Sequence, residues 1–134
     1  MAVTKTHPLK EIQEAIKLGI KHIGENRVQE AEAKIKKLPT TIETHLIGHL
    51  QSNKINKALA LFNVIQTVDS FQLAKKINKK AQEHNKQQRI FCQINIGNDP
   101  RKGGFNKTEL DHINDIVQMK NLNLEGLMTI LPLG

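Results

Sequence analysis

Residues 64–96, VIQTVDSFQLAKKINKKAQEHNKQQRIFCQINI, contain a strand, an amphipathic helix and a second strand. The first strand is the β-branched run Val64–Val68, after which Asp69 or Ser70 offers a side-chain oxygen that can cap a helix. Apolar residues then recur at helical spacing, at Leu73, Ala74, Ile77 and Ala81. The second strand is predicted over 90–96. A strand–helix–strand segment of this length predicts two parallel strands joined by a right-handed crossover helix.

The same order of strand and helix recurs along the rest of the chain. Strands are also predicted over 2–5, 22–24, 45–48 and 124–130, which gives six strands that alternate with five helices. The predicted helix starts are Pro8 in a first turn, Asn26 as an N-cap with Gln29 three residues later, Ser52 as a cap and Thr108 as a cap. The apolar stripes of these helices are Leu9, Ile12, Ala15 and Ile16; Val28, Ala31 and Ile35; Ile55, Ala58 and Leu59; and Leu110, Ile113 and Val117.

Two architectures contain parallel strands of this kind, an open doubly wound sheet and a (β/α)8 barrel. The fifth strand separates them, because its two faces differ: Ile90, Cys92, Ile94 and Ile96 on one, and Phe91, Gln93 and Asn95 on the other. Strands of a doubly wound sheet are buried on both faces and are continuously apolar, whereas inward amides suit a barrel that holds a ligand near its mouth. A complete barrel needs about 250 residues. We therefore predict an α/β fold, a partial (β/α)8 TIM-type barrel with six of the eight parallel strands, as one incomplete domain over residues 1–134.

Composition narrows the class of protein. The chain has 134 residues and a single cysteine, Cys92, so no intrachain disulfide is possible and a cytoplasmic location is expected. Neither a membrane-spanning apolar run nor a secretory leader is recognisable. The net charge of +7 would attract RNA or another polyanion. Because the lysines are spread over several helix faces and the chain has neither Trp nor Tyr for base stacking, nucleic-acid binding is only a minor alternative.

Lys5 is the main candidate for chemistry, because it lies at the carboxyl end of the first predicted strand, where βα folds place reactive groups. A lysine that loses its hydration there favours the neutral amine, which attacks an aldehyde to form a Schiff base. The alternative is an ordinary exposed lysine. Asn26 occupies the same place after the second strand, where its amide caps a helix, lines the mouth of the barrel, or does both. Residues 51–54 resemble a helix start whose N–H groups can meet an anion.

A metal site is not predicted. His45 and His49 would share one face if their segment were a helix, but Gly48 and the β-branched residue before it indicate a strand end. The glutamate of the zincin motif is also replaced, by Leu46. Cys92 belongs to the helix-facing side of its strand, so it is interpreted as a packing residue and not as a nucleophile.

Seven segments together resemble one protein family. They are AVTKTHP at 2–8, GENRVQEA at 24–31, HLIGHLQSNK at 45–54, VDS at 68–70, QINI at 93–96, KGGF at 102–105 and GLMTI at 126–130. Their order and spacing are similar to those of the pyridoxal-phosphate homeostasis proteins of the YggS type, whose fold is similar to the barrel domain of alanine racemase. The resemblance extends from Ala2 to Pro132.

The resemblance implies a protein that binds pyridoxal 5′-phosphate (PLP) through a Schiff base with Lys5. It also places Asn26, Asn95 and Met128 near the ring or in the cavity lining, and implies a cofactor carrier or buffer in vitamin B6 homeostasis without established turnover. A racemase-like enzyme or a Schiff-base lyase is the alternative, with His45 or His49 as the acid–base partner. Racemisation is improbable, because the racemase uses a tyrosine from a second domain and this chain has no tyrosine.

The departures from the family pattern lie at the two ends. Family members have a helix ahead of the first strand and two further strands after GLMTI, which carry a Ser- and Gly-rich segment and a VRIG-like segment that hold the phosphate. The comparison implies a chain shortened at both ends, with impaired PLP binding and a complementary C-terminal segment as a further partner.

Overall fold

The computed structural model describes residues 2–3, 8–95, 104–105 and 109–129, with only the backbone at 2–3. Strands and helices alternate in the predicted order. The elements are β1 (Ala2–Val3), α1 (Leu9–Lys17), β2 (His22–Glu25), α2 (Val28–Ile35), β3 (Glu43–Leu46), a 3-10 turn (Ser52–Lys54), α3 (Ile55–Leu61), β4 (Val64–Val68), α4 (Phe71–Glu83), β5 (Gln88–Ile94), α5 (Asp111–Val117) and β6 (Leu122–Thr129). The chain divides into two compact units, Met1–Val64 and Ile65–Gly134.

The first unit is a layer of parallel strands covered by helices. β1 pairs with β2 and β2 pairs with β3, both in parallel. The ladder continues past β3, because the Ile47 N–H donates to the Glu25 carbonyl at 2.9 Å. The buried core contains Ile12, Ile23 and Ile42, with Ile16, Ile35 and Leu38 packed against it. The helix stripes predicted for α1 and α2 therefore cover one face of this sheet.

Thr44 and Asn63 hold the end of α3 against β3. The Thr44 N–H donates to Asn63 Oδ1 at 2.8 Å, and the Thr44 hydroxyl donates to the Leu61 carbonyl at 2.8 Å. The Asn63 N–H donates back to the Thr44 carbonyl at 2.9 Å. These hydrogen bonds pair partly buried donors and acceptors with one another, and they therefore fix the turn after α3.

The second unit contains the parallel pair of β5 and β6 and the helices α4 and α5. The register of this pair shifts once. Ile90 pairs with Leu124 but Phe91 pairs with Gly126, so β6 accommodates one extra residue, Glu125, as a β-bulge. The predicted stripe of α4 is confirmed, since Leu73, Ala74, Ile77 and Ala81 are all buried.

Four of the predicted helix starts can be compared with the structure. Pro8, predicted in the first turn of α1, lies one residue earlier, as the N-cap. Ser70 is a cap as predicted, because its hydroxyl oxygen accepts a hydrogen bond from the Leu73 N–H at 3.1 Å. Asn26 as the N-cap of α2 is wrong: the N-cap is Arg27, and its side chain makes no capping hydrogen bond. Ser52 as a cap is also wrong, since it is the first residue of the 3-10 turn and Lys54 precedes α3. Thr108 lies outside the described residues.

Two further predictions need correction. β3 begins two residues earlier than the predicted 45–48, because its polar residues Glu43 and Thr44 have partners in the sheet and in the turn after α3. The predicted α5 stripe is wrong at both ends. Leu110 precedes the helix and is 41% exposed, and Val117 is 59% exposed, while Ile116 is the buried residue. Within the described part of the chain, no helix is long and apolar enough to cross a membrane.

Candidate functional site

A cavity lies at the carboxyl ends of β2 and β3 in the first unit. Its volume is about 470 Å³, and its lining consists of Asn26, Arg27, Val28, Gln29, Gly48, His49, Gln51 and Lys54. This is the end of the strands at which parallel βα folds bind ligands. The segments that contain the two strand ends, GENR and HLIGHLQSNK, therefore meet at one site.

Gly48 determines how closely these two segments approach each other. A Cβ atom at this position would lie 2.7 Å from the carbonyl carbon of Asn26 and 2.8 Å from its Cα, and it would overlap the Asn26 carbonyl oxygen. Any residue with a side chain would therefore have to displace the backbone of Asn26. The contact also explains the corrected helix start, because Asn26 is held in the loop by Gly48 and α2 begins after it.

A buried ion pair fixes α2 against β2 just below the cavity. The Glu25 side chain is fully buried, and its Oε1 atom lies 3.5 Å from the Nζ atom of Lys34, which is 17% exposed. A buried carboxylate without a cation would be strongly destabilising. The pair therefore holds α2 against the strand that ends one residue before Asn26.

The two histidines of the sequence analysis lie in different environments. His45 is buried within β3, and its Nε2 atom lies 2.7 Å from Glu43 Oε1. His22 Nε2 lies 3.8 Å from the same oxygen, and the two rings meet edge to face with centroids 5.9 Å apart. His49 is exposed and lines the cavity. Among the described residues, no group of three His, Cys, Asp or Glu side chains could hold a metal ion.

The other candidate residues lie at the carboxyl ends of β5 and β6: Asn95 follows β5, and Met128 is near the end of β6. Met128 is the register partner of Gln93, so the two residues share a face, and Asn95 follows Gln93 by two positions. Phe105 closes over this end, because its N–H donates to the Gln93 carbonyl at 2.8 Å and its carbonyl accepts from the Asn95 N–H at 2.9 Å. Gly104 makes the approach possible, with φ of +130° and only 2.9 Å between an added Cβ and the Asn95 nitrogen.

Cys92 is a packing residue, as predicted. It is fully buried in β5, and burial raises the pKa of its thiol from 9.0 to about 11. A protonated, inaccessible thiol is a poor nucleophile.

The predicted cofactor residues are therefore distributed as follows. Lys5 lies outside the described residues. Asn26 lines the cavity of the first unit, while Asn95 and Met128 lie at the strand ends of the second. Sequence reasoning missed Gly48, Arg27 and the Glu25–Lys34 pair, although Gly48, Arg27 and Glu25 all lie inside segments that carry the family resemblance.

Comparisons with known proteins identify the class. A solved structure of alanine racemase from Clostridium difficile 630 has a TM-score of 0.83 with 18% identity, and the match covers 98% of this chain and 35% of that chain. This likeness shows the fold alone. It confirms the predicted class, an α/β protein with a partial (β/α)8 barrel.

The family follows from the sequence. A model of the alanine racemase N-terminal domain matches residues 1–133, so the chain belongs to that family. The pyridoxal phosphate homeostasis protein of Synechocystis sp. (strain PCC 6803) is 41% identical over 137 residues, which cover 100% of this chain and 63% of the relative. The chain thus spans less than two thirds of the length of that relative.

Two solved structures of PipY from Synechococcus elongatus PCC7942 are also similar. The structure without PLP has a TM-score of 0.93 with 40% identity and covers 99% of this chain. The structure with PLP bound has a TM-score of 0.90 with 38% identity and covers 100% of this chain. In each case the match covers 63% of the PipY chain.

Proposed function

We propose that this protein binds pyridoxal 5′-phosphate and serves in PLP homeostasis in the cytoplasm, as a carrier or buffer of the cofactor and not as an enzyme. The observation that carries the proposal is the match along the whole chain to PipY with PLP bound. The name of the Synechocystis relative, pyridoxal phosphate homeostasis protein, supports the same conclusion.

Lys5 is the proposed attachment point. Its Nζ atom would attack the aldehyde carbon of the cofactor, and loss of water would leave a Schiff base. The match of AVTKTHP to the family's lysine-bearing strand supports this role. The backbone pairing of Ala2 with Ile23 and Val3 with Gly24 is consistent with it, because β1 then runs beside the strand that leads to Asn26.

Asn26, Asn95 and Met128 are the proposed residues near the ring or in the cavity lining. The described residues fit such a group. Asn26 offers a neutral amide just past the carboxyl end of β2, the strand that pairs with β1. Gln93 and Met128 share a face that leads to Asn95 and provides polar and apolar contacts. When bound, PLP would supply the aldehyde that reacts with Lys5, and these residues would orient the cofactor.

Borohydride trapping tests the attachment. The protein is incubated with PLP, reduced, digested and mapped by mass spectrometry. We expect the pyridoxyl group on Lys5, and its loss in Lys5→Ala. Lys10→Ala is the matched control, because Lys10 is an exposed lysine nearby in the sequence. Modification spread over surface lysines, with Lys5 unmodified, would refute the role of Lys5.

Turnover separates the carrier from the enzyme alternative. PLP-loaded protein is incubated with amino acids, and racemisation and carbonyl products are measured. We expect neither. Turnover that disappears in Lys5→Ala and in His49→Ala would favour a racemase-like or lyase enzyme, because His49 is the exposed acid–base candidate whereas His45 is buried.

The phosphate of PLP sets the expected affinity. By resemblance, two later segments of the family hold this phosphate, and the chain covers 63% of the Synechocystis relative. We propose that residues 1–134 bind PLP weakly and discriminate little between PLP and pyridoxal. A complementary C-terminal segment should restore both the affinity and the selectivity. A spectroscopic titration of the two aldehydes with and without that segment decides this, and tight selective binding by residues 1–134 alone would contradict it.

A further inference from the structure

We propose that the cavity at the ends of β2 and β3 is an oxyanion site for a small molecule that carries a phosphate group, distinct from the covalent attachment at Lys5. The site lies between the first turn of α2 and the 3-10 turn of residues 52–54. The proposal rests on the described residues of the first unit and does not depend on aldehyde chemistry.

The backbone contact between Gly48 and Asn26 brings the cationic residues together. Because a side chain at Gly48 would overlap the Asn26 backbone, the two loops meet without a spacer. The residues that follow, Arg27 in one loop and His49 in the other, line the same cavity, and Lys54 lines it as well. Two permanent cations and an imidazole thus surround a space of about 470 Å³.

Within the part of the chain that the structure describes, no acidic side chain lines the cavity. The nearest carboxylate along α2 is that of Glu30, whose Oε1 lies 3.9 Å from Arg27 Nη1, with the Arg27 side chain 75% exposed. A contact of that length leaves most of the five guanidinium donors available to a ligand. The permanently charged side chains that line the cavity, those of Arg27 and Lys54, are therefore both cationic.

The other carboxylates of α2 and β2 have cations of their own. Glu32 lies 3.4 Å from Lys36 and 3.5 Å from Lys57. The hydrogen bond from Lys36 lowers the pKa of Glu32, and the charge of Lys57 adds to the effect. Glu25 is paired with Lys34 beneath the cavity. These carboxylates consequently do not offset the charge of Arg27 and Lys54.

The polar lining and the first turn of α2 define the chemistry of the ligand. Asn26, Gln29 and Gln51 contribute amide groups that can donate hydrogen bonds. The first turn of α2 has no capping side chain, so its N–H groups add to the donors that already converge on the cavity. A concave space of this volume fits a small molecule better than a protein surface. Phosphate matches this set of donors, because it accepts several charge-assisted hydrogen bonds at once.

Titration with inorganic phosphate, followed by amide chemical shifts of the ¹⁵N-labelled full chain, tests the site. We expect saturable shifts at residues 26–29 and 48–54. Arg27→Gln combined with Lys54→Gln should weaken binding about tenfold or more. The matched control is Lys17→Gln with Lys37→Gln, which removes the same charge from a separate groove of the first unit and should change binding less than about twofold.

Two further measurements identify the class of ligand and distinguish this site from the proposed attachment of PLP at Lys5. Lys5→Ala should bind phosphate as the unaltered protein does, whereas it should lose the borohydride-trapped adduct. A phosphate monoester without an aldehyde, glycerol phosphate, should bind more tightly than inorganic phosphate if the cavity takes a phosphorylated small molecule, and equally if it takes free phosphate. Circular dichroism confirms that each variant is folded. Shifts spread over the lysines of α4, or unchanged affinity in the Arg27/Lys54 variant, would overturn the proposal.

Discussion

The ends of two pairs of parallel strands differ in how the chain continues beyond them. After β2 and β3, glycine lets two backbones touch, and a polar cavity with cations remains above the contact. After β5, Phe105 folds onto the strand end and takes up the backbone groups of Gln93 and Asn95. Both arrangements require a glycine, Gly48 in the first and Gly104 in the second. The comparison shows that close backbone approach at a glycine can leave a cavity in one place and close a strand end in another.

Removal of the aromatic cover should have the largest effect on stability. Phe105 is fully buried, so Phe105→Ala should lower the free energy of unfolding by about 3–4 kcal/mol through lost burial and the cavity left behind. Urea unfolding followed by circular dichroism measures the change. Phe105→Leu is the milder control and should lose about half as much. Equal stability of the alanine variant would mean that Phe105 does not close the end of β5.

A methyl group at Gly48 should have the next largest effect. Gly48→Ala forces the Asn26 backbone to move, and we expect a loss of about 2–3 kcal/mol together with loss of phosphate binding at the cavity. Gly126→Ala is the matched control. Its added Cβ would meet only the Phe91 ring at 3.7 Å, so the free energy of unfolding should change by no more than about 1 kcal/mol. The contrast fails if both variants are equally stable.

Cys92 sharpens the comparison within β5 and should give the smallest effect at neutral pH. Its folded-state pKa of about 11 exceeds the ordinary 9.0, so the native fold favours the neutral thiol. This contribution is complete below pH 9.0 and is lost as the pH rises toward about 11. A thiol reagent should therefore react slowly with the folded protein at neutral pH and rapidly after unfolding. The alkaline loss of stability should be smaller in Cys92→Ala, and an identical pH profile would contradict the shift.

The periodicity of the sequence predicted the order of the elements, because apolar spacing determines which face of each helix is buried. The stripes of α3 and α4 were predicted correctly for that reason. Capping was predicted less well. A side chain at Ser70 acts within one turn of its own helix, but the position of Asn26 depends on Gly48, which is distant in sequence. Local rules contain no information about such a contact.

In the candidate site, too, the sequence predicted some residues, whereas others depend on contacts between distant segments. The family resemblance named Asn26, Asn95 and Met128, and the structure places Asn26 at a cavity and Met128 opposite Gln93. The cationic lining was only hinted at by the helix start at residues 51–54. Arg27 was not predicted, because its place in the cavity depends on the loop after β3 and not on its neighbours in sequence.

The bulge in β6 changes which residues of β6 pair with β5 beyond Ile90. If Glu125 paired with Phe91 and the strands continued in step without the bulge, Gln93 would pair with Leu127. With it, every later side chain exchanges sides, and Met128 takes the place beside Gln93. The residue opposite Gln93 therefore depends on Glu125 staying in the bulge: deletion of Glu125 would remove the bulge and keep Met128 there, whereas pairing of Glu125 with Phe91 would place Leu127 there.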